Sequence, residues 1–406
     1  MRKRLFLVGV PEAHVERTIE RAHKLNLEII LGDNKKSLSE FHEKIQKVDR
    51  LIEVDYQDYT ELSDVFRELN EEKKIDLIFS FKENALINVA KIANNYNLKG
   101  LKKEIIELCM SKYRTRLTLH QAGVLSPEFA LCKDINEVKS FWKKLNGPMI
   151  IKPDNLQGSL GVIKIENEDQ IEFAYSKCLE NCKEKEVLVE EFIEGKEVSI
   201  EAMVYMGEII VFGITEKLLY ANSFVEMGHI SPYEEGGLQL EEYKDIVKNI
   251  VNVLGINFGP LHIEGFLNEK GFIAGEVHNR YGGDNITTLT ENSAKCDMTS
   301  PILAELAEIS YEISFGTPKE FTAIRFLSSH SGRVIDVKGI DELKNNPNLI
   351  DYNIKCKVGD YIPPVTSSFD RIGWILIKGN TKSQLEINLQ EALDNVEILI
   401  KEDSNE

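Results

Sequence analysis

The chain has little that would anchor it in a lipid bilayer, staple it with disulfides or draw it to nucleic acid. No stretch approaches the roughly 20 apolar residues that a membrane span needs. The basic start of Arg2-Lys3-Arg4 leads into an apolar run at 5–10 that is short for a secretory leader and is cut by Pro11-Glu12. A first β-strand is expected there instead, and with it a cytoplasmic location and no membrane partner. Six cysteines, at 109, 132, 178, 182, 296 and 356, never take C-x-x-C spacing. Cys178 and Cys182 would share a helix face but have no His or Cys company for zinc, so reduced thiols in small apolar packing roles are expected. Basic residues are in deficit: 49 Lys and Arg against 67 Asp and Glu leave a net charge of −18. Such a field repels a phosphate backbone and excludes a nucleic-acid partner. Any nucleotide site must therefore gather its lysines locally. The first turn, Gly9-Val10-Pro11-Glu12, is not G-x-G-x-x-G, so no nicotinamide or flavin is assigned to it. Internal repeats and low-complexity tracts are also lacking.

What is present begins as alternating strand and helix. Strands are expected at 5–10, 27–31, 51–54 and 75–81, and helices at 12–25, 59–72 and 84–96. That alternation implies a parallel sheet with crossover helices. From about Lys112 the texture changes. A helix at 112–122 runs into Gly123 and Pro127, and 149–152 reads as a strand leading to a loop at 154–161 that contains Gly158 and Gly161. Strands at 187–191, 197–204 and 209–215 follow, then a helix at 239–254 and a hairpin from 261–267 and 272–278. After about 317 come strands near 323–328, 332–337, 354–357 and 372–378, a helix at 383–395 and a frayed end at 401–406. The chain length calls for two to four structural units.

The hairpin at 261–280 carries the most chemical information. A register centred near Lys270 would set Glu264 and Glu276 opposite one another, and the period of two would put Glu276, His278 and Arg280 on one face. Two adjacent carboxylates repel, and the usual remedy is a cation; oxygen ligands in phosphate company suit Mg²⁺. The alternative is a pair of solvated glutamates on an exposed face. Gly259-Pro260 before the first arm and Asn279-Arg280-Tyr281-Gly282-Gly283-Asp284 after the second are unusual neighbours for that alternative. Lys152 leaves the apolar run Met149-Ile150-Ile151 toward Gly158-Ser159-Leu160-Gly161, whose backbone amides could close over phosphates. A flexible surface loop would share this spelling. Lys112 and Lys217 are, taken singly, ordinary surface lysines.

The order of these pieces resembles the ATP-grasp superfamily. Lys112 comes first, then Ile150-Ile151-Lys152-Pro153, the loop Gly158-Ser159-Leu160-Gly161-Val162, the acidic run Val189-Glu190-Glu191-Phe192-Ile193-Glu194-Gly195-Lys196-Glu197, and finally Glu264 with Glu276-Val277-His278-Asn279-Arg280. A second resemblance narrows the branch. Glu226-Met227-Gly228-His229-Ile230-Ser231-Pro232 is similar to the E-x-G-H-x-x-P segment of L-amino-acid ligases, which form dipeptides. Gly359-Asp360-Tyr361-Ile362-Pro363-Pro364 and Asp370-Arg371-Ile372-Gly373-Trp374 resemble their terminal domain.

The resemblance implies an α/β and α+β protein with the ATP-grasp fold. Its parts would be an N-terminal parallel Rossmann-like domain at 1–110, a central lid at 111–200, an antiparallel catalytic subdomain at 201–316 and a C-terminal α+β domain at 317–406. It implies ATP and Mg²⁺ (or Mn²⁺) as cofactors. Lys112, Lys152 and Lys217 would touch phosphates under the loop of Gly158, Ser159 and Gly161. Glu190, Glu191, Phe192 and Ile193 would hold adenine, and Glu197 the ribose. Glu264 and Glu276 would bind the metal. His278 stands where the family often has Asn and would be the third metal residue, a weaker ligand or none, since imidazole suits hard Mg²⁺ less well than a carbonyl. Arg280 would stabilise negative charge at the reacting centre. Glu226 could bind an ammonium, and His229 a carboxylate or a proton; a polar loop between strand and helix is the plain alternative for that segment.

The activity so implied is an ADP-forming ligase that activates a carboxylate as an acyl phosphate and passes the acyl group to an amine. Its partners would be small-molecule acids and amines, amino acids foremost, and a homodimer is allowed. A carrier-protein thiol is the alternative acceptor, although no basic patch suggests docking to an acyl carrier protein. A carboxyphosphate-using enzyme shares Glu-x-x-x-Arg but not the E-x-G-H-x-x-P segment. A nucleotide-binding regulator without turnover is the reading from another class.

Overall fold

The structure, a computed structural model, describes residues 2–156, 158–182, 185–235, 238–317 and 319–401. Gln157 of the expected phosphate loop and 402–406 of the expected frayed end lie outside them.

The first hundred residues form a four-stranded parallel sheet ordered Arg50–Glu53, Glu28–Asp33, Arg4–Val8, Leu77–Phe79. Its strands are buried on both faces, as parallel sheets require. Leu5, Leu7, Ile29 and Leu31 meet Val15 and Ile19 of helix Val15–Lys24 on one face. Phe6, Val8 and Ile30 meet Leu62 and Phe66 of helix Tyr59–Glu72 on the other. That second helix starts where Asp58 accepts hydrogen bonds from the amides of Thr60 and Glu61, which satisfies two free donors of the first turn.

A smaller antiparallel sheet follows, ordered Phe129–Cys132, Val187–Glu191, Met149–Lys152, Ile163–Ile165. Its core closes on helices Ile135–Leu145 and Ile171–Leu179 through Val138, Phe141, Ile171 and Ala174.

The largest sheet has eight antiparallel strands. Their order is Gly271–His278, Gly259–Asn268, Lys196–Tyr205, Glu208–Leu219, Glu226–Ser231, Phe321–Leu327, Gly373–Gly379, Leu349–Ile354. The period of two sorts strand Lys196–Tyr205. Val198, Ile200, Ala202 and Val204 pack on helix Leu240–Leu254, while Glu197 and Ser199 line a cleft on the opposite face. The last three strands carry this sheet past residue 317 without a break, and a three-stranded sheet of Tyr361–Ile362, Gly332–Lys338 and Glu397–Lys401 stands beside it.

Several elements differ from expectation. The strand expected at 354–357 runs instead over Leu349–Ile354. The segment weighed as a polar loop contains an inner strand, Glu226–Ser231, paired on both edges. Helices Lys103–Cys109, Ile171–Leu179, Ile286–Ala294 and Thr299–Leu306 were not foreseen. Ile286–Ala294 reads ITTLTENSA, rich in residues of modest helix propensity, and seven of its nine residues are buried, so tertiary packing overrides propensity there. Among the described residues no helix is long and apolar enough to cross a membrane.

Candidate active site

A cleft of about 1390 Å³ opens between the smaller antiparallel sheet, the eight-stranded sheet and the turn at 368–371. That is ample room for more than one small molecule. Of the seventeen residues singled out above, sixteen line it; Gly161 does not. Gly161 lies in the loop with φ +75°, and a Cβ there would crowd Pro153 at 3.2 Å. Its role is local backbone shape.

The two hairpin carboxylates face one another because of a bulge. Glu264 pairs with Glu276, and His262 with His278, but the register shifts between Glu264 and Gly265, where Gly265 pairs with Ala274. Without the extra residue Glu264 would oppose Gly275. The bulge thus re-aims the outer half of the hairpin, a common use of such irregularities beside functional sites.

Each carboxylate is engaged by lysine. Lys217 Nζ lies 2.7 Å from both Glu264 and Glu197 and 3.7 Å from Glu226. Lys152 Nζ is 2.9 Å from Glu190 and 3.4 Å from Glu276, and Lys112 Nζ is 3.4 Å from Glu276. Lys112 Nζ also donates to the carbonyl of Leu156 at 2.8 Å, tying it to the start of the glycine loop. Burial alone would lower the pKa values of Lys152 and Lys217, but the carboxylates overrule it. Lys152 is raised by Glu190 and Glu276, and Lys217 well above its ordinary value by Glu197, Glu264 and Glu226. Conversely, burial pushes Glu276 up, while Lys112 and Lys152 hold it well below the usual carboxylate range. Glu264 behaves alike under Lys217 and His262. These charges are fixed in place before any ligand arrives.

Sequence reasoning missed the supports beneath them. Arg116, 1 % exposed, stands 2.9 Å from Glu190 and donates to the carbonyl of Gly275 at 2.7 Å. Together with Lys152 it keeps the Glu190 carboxyl below its ordinary value against the opposing effect of burial. His262 bridges Glu201 (2.7 Å) and Glu264 (3.0 Å). Burial lowers its pKa, yet the two carboxylates raise it to about 9. His278 stacks on His262 at 6.0 Å and lies 3.5 Å from Glu276. Burial and Arg280 lower its pKa, so the neutral imidazole predominates at neutral pH. Arg280 Nε is 2.8 Å from Glu83, at the start of helix Glu83–Asn95 in the first domain.

At the other end of the cleft sit Glu226 and His229 on their strand. His229 Nε2 is buried without a hydrogen-bond partner and stands 3.5 Å from Asp284. Arg371 grips Asp284 with two bonds of 2.6 and 2.7 Å, and its guanidinium lies 3.6 Å over the Phe326 ring. Burial raises the Asp284 pKa, but His229 and Arg371 more than reverse the effect. No spacing in the sequence links 226, 284 and 371. The available signal was the family-like spelling around Glu226 and Arg371, and for Asp284 only the unusual run after the hairpin.

The donor set can be tested against a nucleotide and its metal. Among the described residues no three His, Cys, Asp or Glu side chains are grouped as a closed metal site. Two facing carboxylates beside three lysines instead match Mg²⁺, which is usually held by one or two carboxylates plus phosphate oxygens. The segment 190–193, where strand Val187–Glu191 ends, lies on the same cleft, with Lys164 Nζ 4.1 Å over the Phe192 ring. The residues fit the group.

Three family models match: the ATP-grasp N-terminal domain at 19–100, the ATP-grasp domain at 145–288 and the L-amino acid ligase C-terminal domain 2 at 325–401. With its fold and site, the chain belongs to the ATP-grasp proteins, and within them it stands among the carboxylate–amine ligases. It is similar over 99 % of both chains to the crystal structure of L-amino acid ligase from Bacillus licheniformis, with a TM-score of 0.81 and 25 % identity. Phosphoribosylglycinamide synthetase from Anaerococcus prevotii shares the fold at a TM-score of 0.74 and 20 % identity, over 99 % of this chain and 100 % of that one. In sequence the chain is 25 % identical to the uncharacterized protein y4rH of Sinorhizobium fredii over 98 % of its own length and 83 % of the relative's. It is 33 % identical to a D-alanine–D-alanine ligase of Flavobacterium psychrophilum over 30 % of its own length and 38 % of that protein's.

Proposed function

We propose that the chain is an ATP-dependent, ADP-forming ligase that joins the carboxylate of an amino acid, or a related acid, to an amine. One observation carries the reading. Lys112, Lys152 and Lys217 stand half-buried in one cleft, each against carboxylates that a magnesium-bound triphosphate would recruit or replace.

In this reading Glu190, Glu191, Phe192 and Ile193 hold adenine, Glu197 the ribose, and the three lysines the phosphates beneath the loop of Gly158 and Ser159. Magnesium, held by Glu264 and Glu276, would supply charge neutralisation, with His278 beside Glu276 as a weaker ligand or none. A substrate carboxylate oxygen attacks the γ-phosphorus, the bond to ADP breaks, and an acyl phosphate forms. The amine nitrogen then attacks the acyl carbon, the carbon–oxygen bond to phosphate breaks, and a proton leaves the nitrogen. Arg280, braced by Glu83, faces the charge that builds on the reacting oxygens. Glu226 receives an ammonium group, and the unpartnered Nε2 of His229 reaches a carboxylate or the departing proton. Such catalysis is mostly positioning and charge stabilisation.

The test is ADP and phosphate release with ATP and Mg²⁺, screened against single amino acids and pairs, with mass spectrometry of the product. Release that depends on particular amino acids and yields an amide supports the reading. ATP binding without such release contradicts it and favours a nucleotide-binding regulator. Release only with a loaded or free acyl carrier protein would favour the thiol acceptor.

A further inference from the structure

A short turn in the C-terminal segment touches two parts of the cleft that belong to different steps. The 3₁₀ turn Ser368–Asp370 is made rigid by its own caps: Asp370 accepts from the amides of Thr366 and Ser367 and from both their hydroxyls. Ser368 then donates twice outward. Its amide reaches the carbonyl of Gly158 at 3.2 Å, and its hydroxyl reaches Glu226 Oε2 at 2.7 Å. Gly158 has φ +69°, and a Cβ there would meet the Phe369 ring at 3.2 Å and Ser368 Cβ at 3.4 Å. Only glycine allows this close approach without strain. The neighbouring Ser159 hydroxyl donates to the carbonyl of Phe224 at 2.7 Å, two residues before Glu226. The carbonyl of Ser368 in turn accepts from Arg371 Nε at 2.8 Å, and Arg371 is locked to Asp284.

We infer that Ser368 is a positioning residue that couples the closed glycine loop to the orientation of Glu226. The inference rests on the proposed function for its meaning and on geometry alone for its existence. The loop covers the phosphate end, and Glu226 stands at the amino-acid end. One residue holds the first by its main chain and the second by its side chain. Glu226 Oε1 points to Lys217 at 3.7 Å while Oε2 accepts from Ser368. A carboxylate has about four acceptor sites, so a substrate ammonium can join without displacing Ser368. Binding at the amino-acid end therefore reinforces the same carboxylate orientation that keeps the loop shut, which would protect an acyl phosphate from water.

The test uses hydrogen exchange of the full chain with ATP and Mg²⁺, reading the amides of 158–162 in the parent, S368A, S368T and F369A. S368A and F369A should speed exchange in the loop about tenfold, the usual size of a charge-assisted hydrogen bond or a small packing contact. Strand Lys196–Tyr205 should exchange as in the parent, and S368T should restore protection. Where amide formation is measurable, S368A should raise the KM of the amino substrate. Loop exchange equal to the parent in both S368A and F369A would overturn the inference. So would equal acceleration in the loop and in strand Lys196–Tyr205. The exchange needs no turnover, so a chain that holds its loop but makes no amide would contradict the proposed function and leave this coupling standing.

Discussion

The two ends of the cleft are built differently. The phosphate end has a frame of residues on paired strands, Lys152 with Glu190 across Met149–Lys152 and Val187–Glu191 and Glu264 with Glu276 across the hairpin, to which Lys112, Arg116 and Lys217 are added from other elements. The amino-acid end gathers Glu226, Asp284, and Ser368 with Arg371 from three distant stretches. At the first end opposite charges nearly balance before a ligand binds, and in the proposed function a triphosphate with its metal would exchange one set of ion pairs for another. At the second, Asp284 is spent on Arg371, and Glu226 remains the carboxylate open to an incoming cation. On the proposed function the general chemistry would sit on regular strands, and substrate choice on a surface that can vary piece by piece.

The contrast can be sharpened or broken by experiment. The largest effect is expected for E276Q, which removes a metal-facing charge and leaves Lys112 and Lys152 short of a partner. ADP release should fall by about 10³-fold. A loss below tenfold would mean that the hairpin is not the metal end.

Next comes a pH effect at the seam between the ends. The folded-state pKa of His262, about 9, lies above its ordinary value of 6.5. The protonated ring therefore favours the folded chain. Its contribution is whole below about pH 6.5 and is lost as pH rises through about 9, a change of about 3 kcal/mol. Denaturant unfolding without nucleotide or divalent cation should show that decline, and H262Q should flatten it. A parent chain that gains stability over the same window would contradict the Glu201–His262–Glu264 bridge.

R371M should raise the KM of the amino substrate about tenfold while leaving the KM of ATP unchanged, because it frees a charged Asp284 only at the amino-acid end. A parallel rise in both constants in steady-state kinetics would erase the distinction between the ends. The smallest effect is expected for K164A. It loses a cation over the Phe192 ring, worth about 0.5–1 kcal/mol, and should weaken nucleotide binding about threefold by calorimetry.

The same contrast governs what could be read from the sequence. Alternating strand and helix, the hairpin and the lysine before the glycine loop are local patterns, and the parallel sheet and the facing glutamates follow from them. Even there the exact pairing of Glu264 with Glu276 depends on a bulge at Gly275, a glycine inside a strand that the period of two passes over. Arg116 looked like any helix arginine, because its burial depends on Glu190 from a strand about seventy residues away. His262 gave no sign beside the more conspicuous His278. Arg371 lay in a segment noticed only for its likeness to a terminal domain, and its grip on Asp284 is a product of the eight-stranded sheet running on past 317. Helix Ile286–Ala294 was missed because its residues prefer other conformations, and burial decides.

The central claim, activation of a carboxylate by phosphoryl transfer, is tested most directly by following oxygen. An amino acid that supports ADP release is labelled with ¹⁸O in its carboxylate and turned over with ATP, Mg²⁺ and the amine. The account predicts one ¹⁸O in the released phosphate for each amide formed. Unlabelled phosphate, or release of AMP with pyrophosphate in place of ADP, would contradict it.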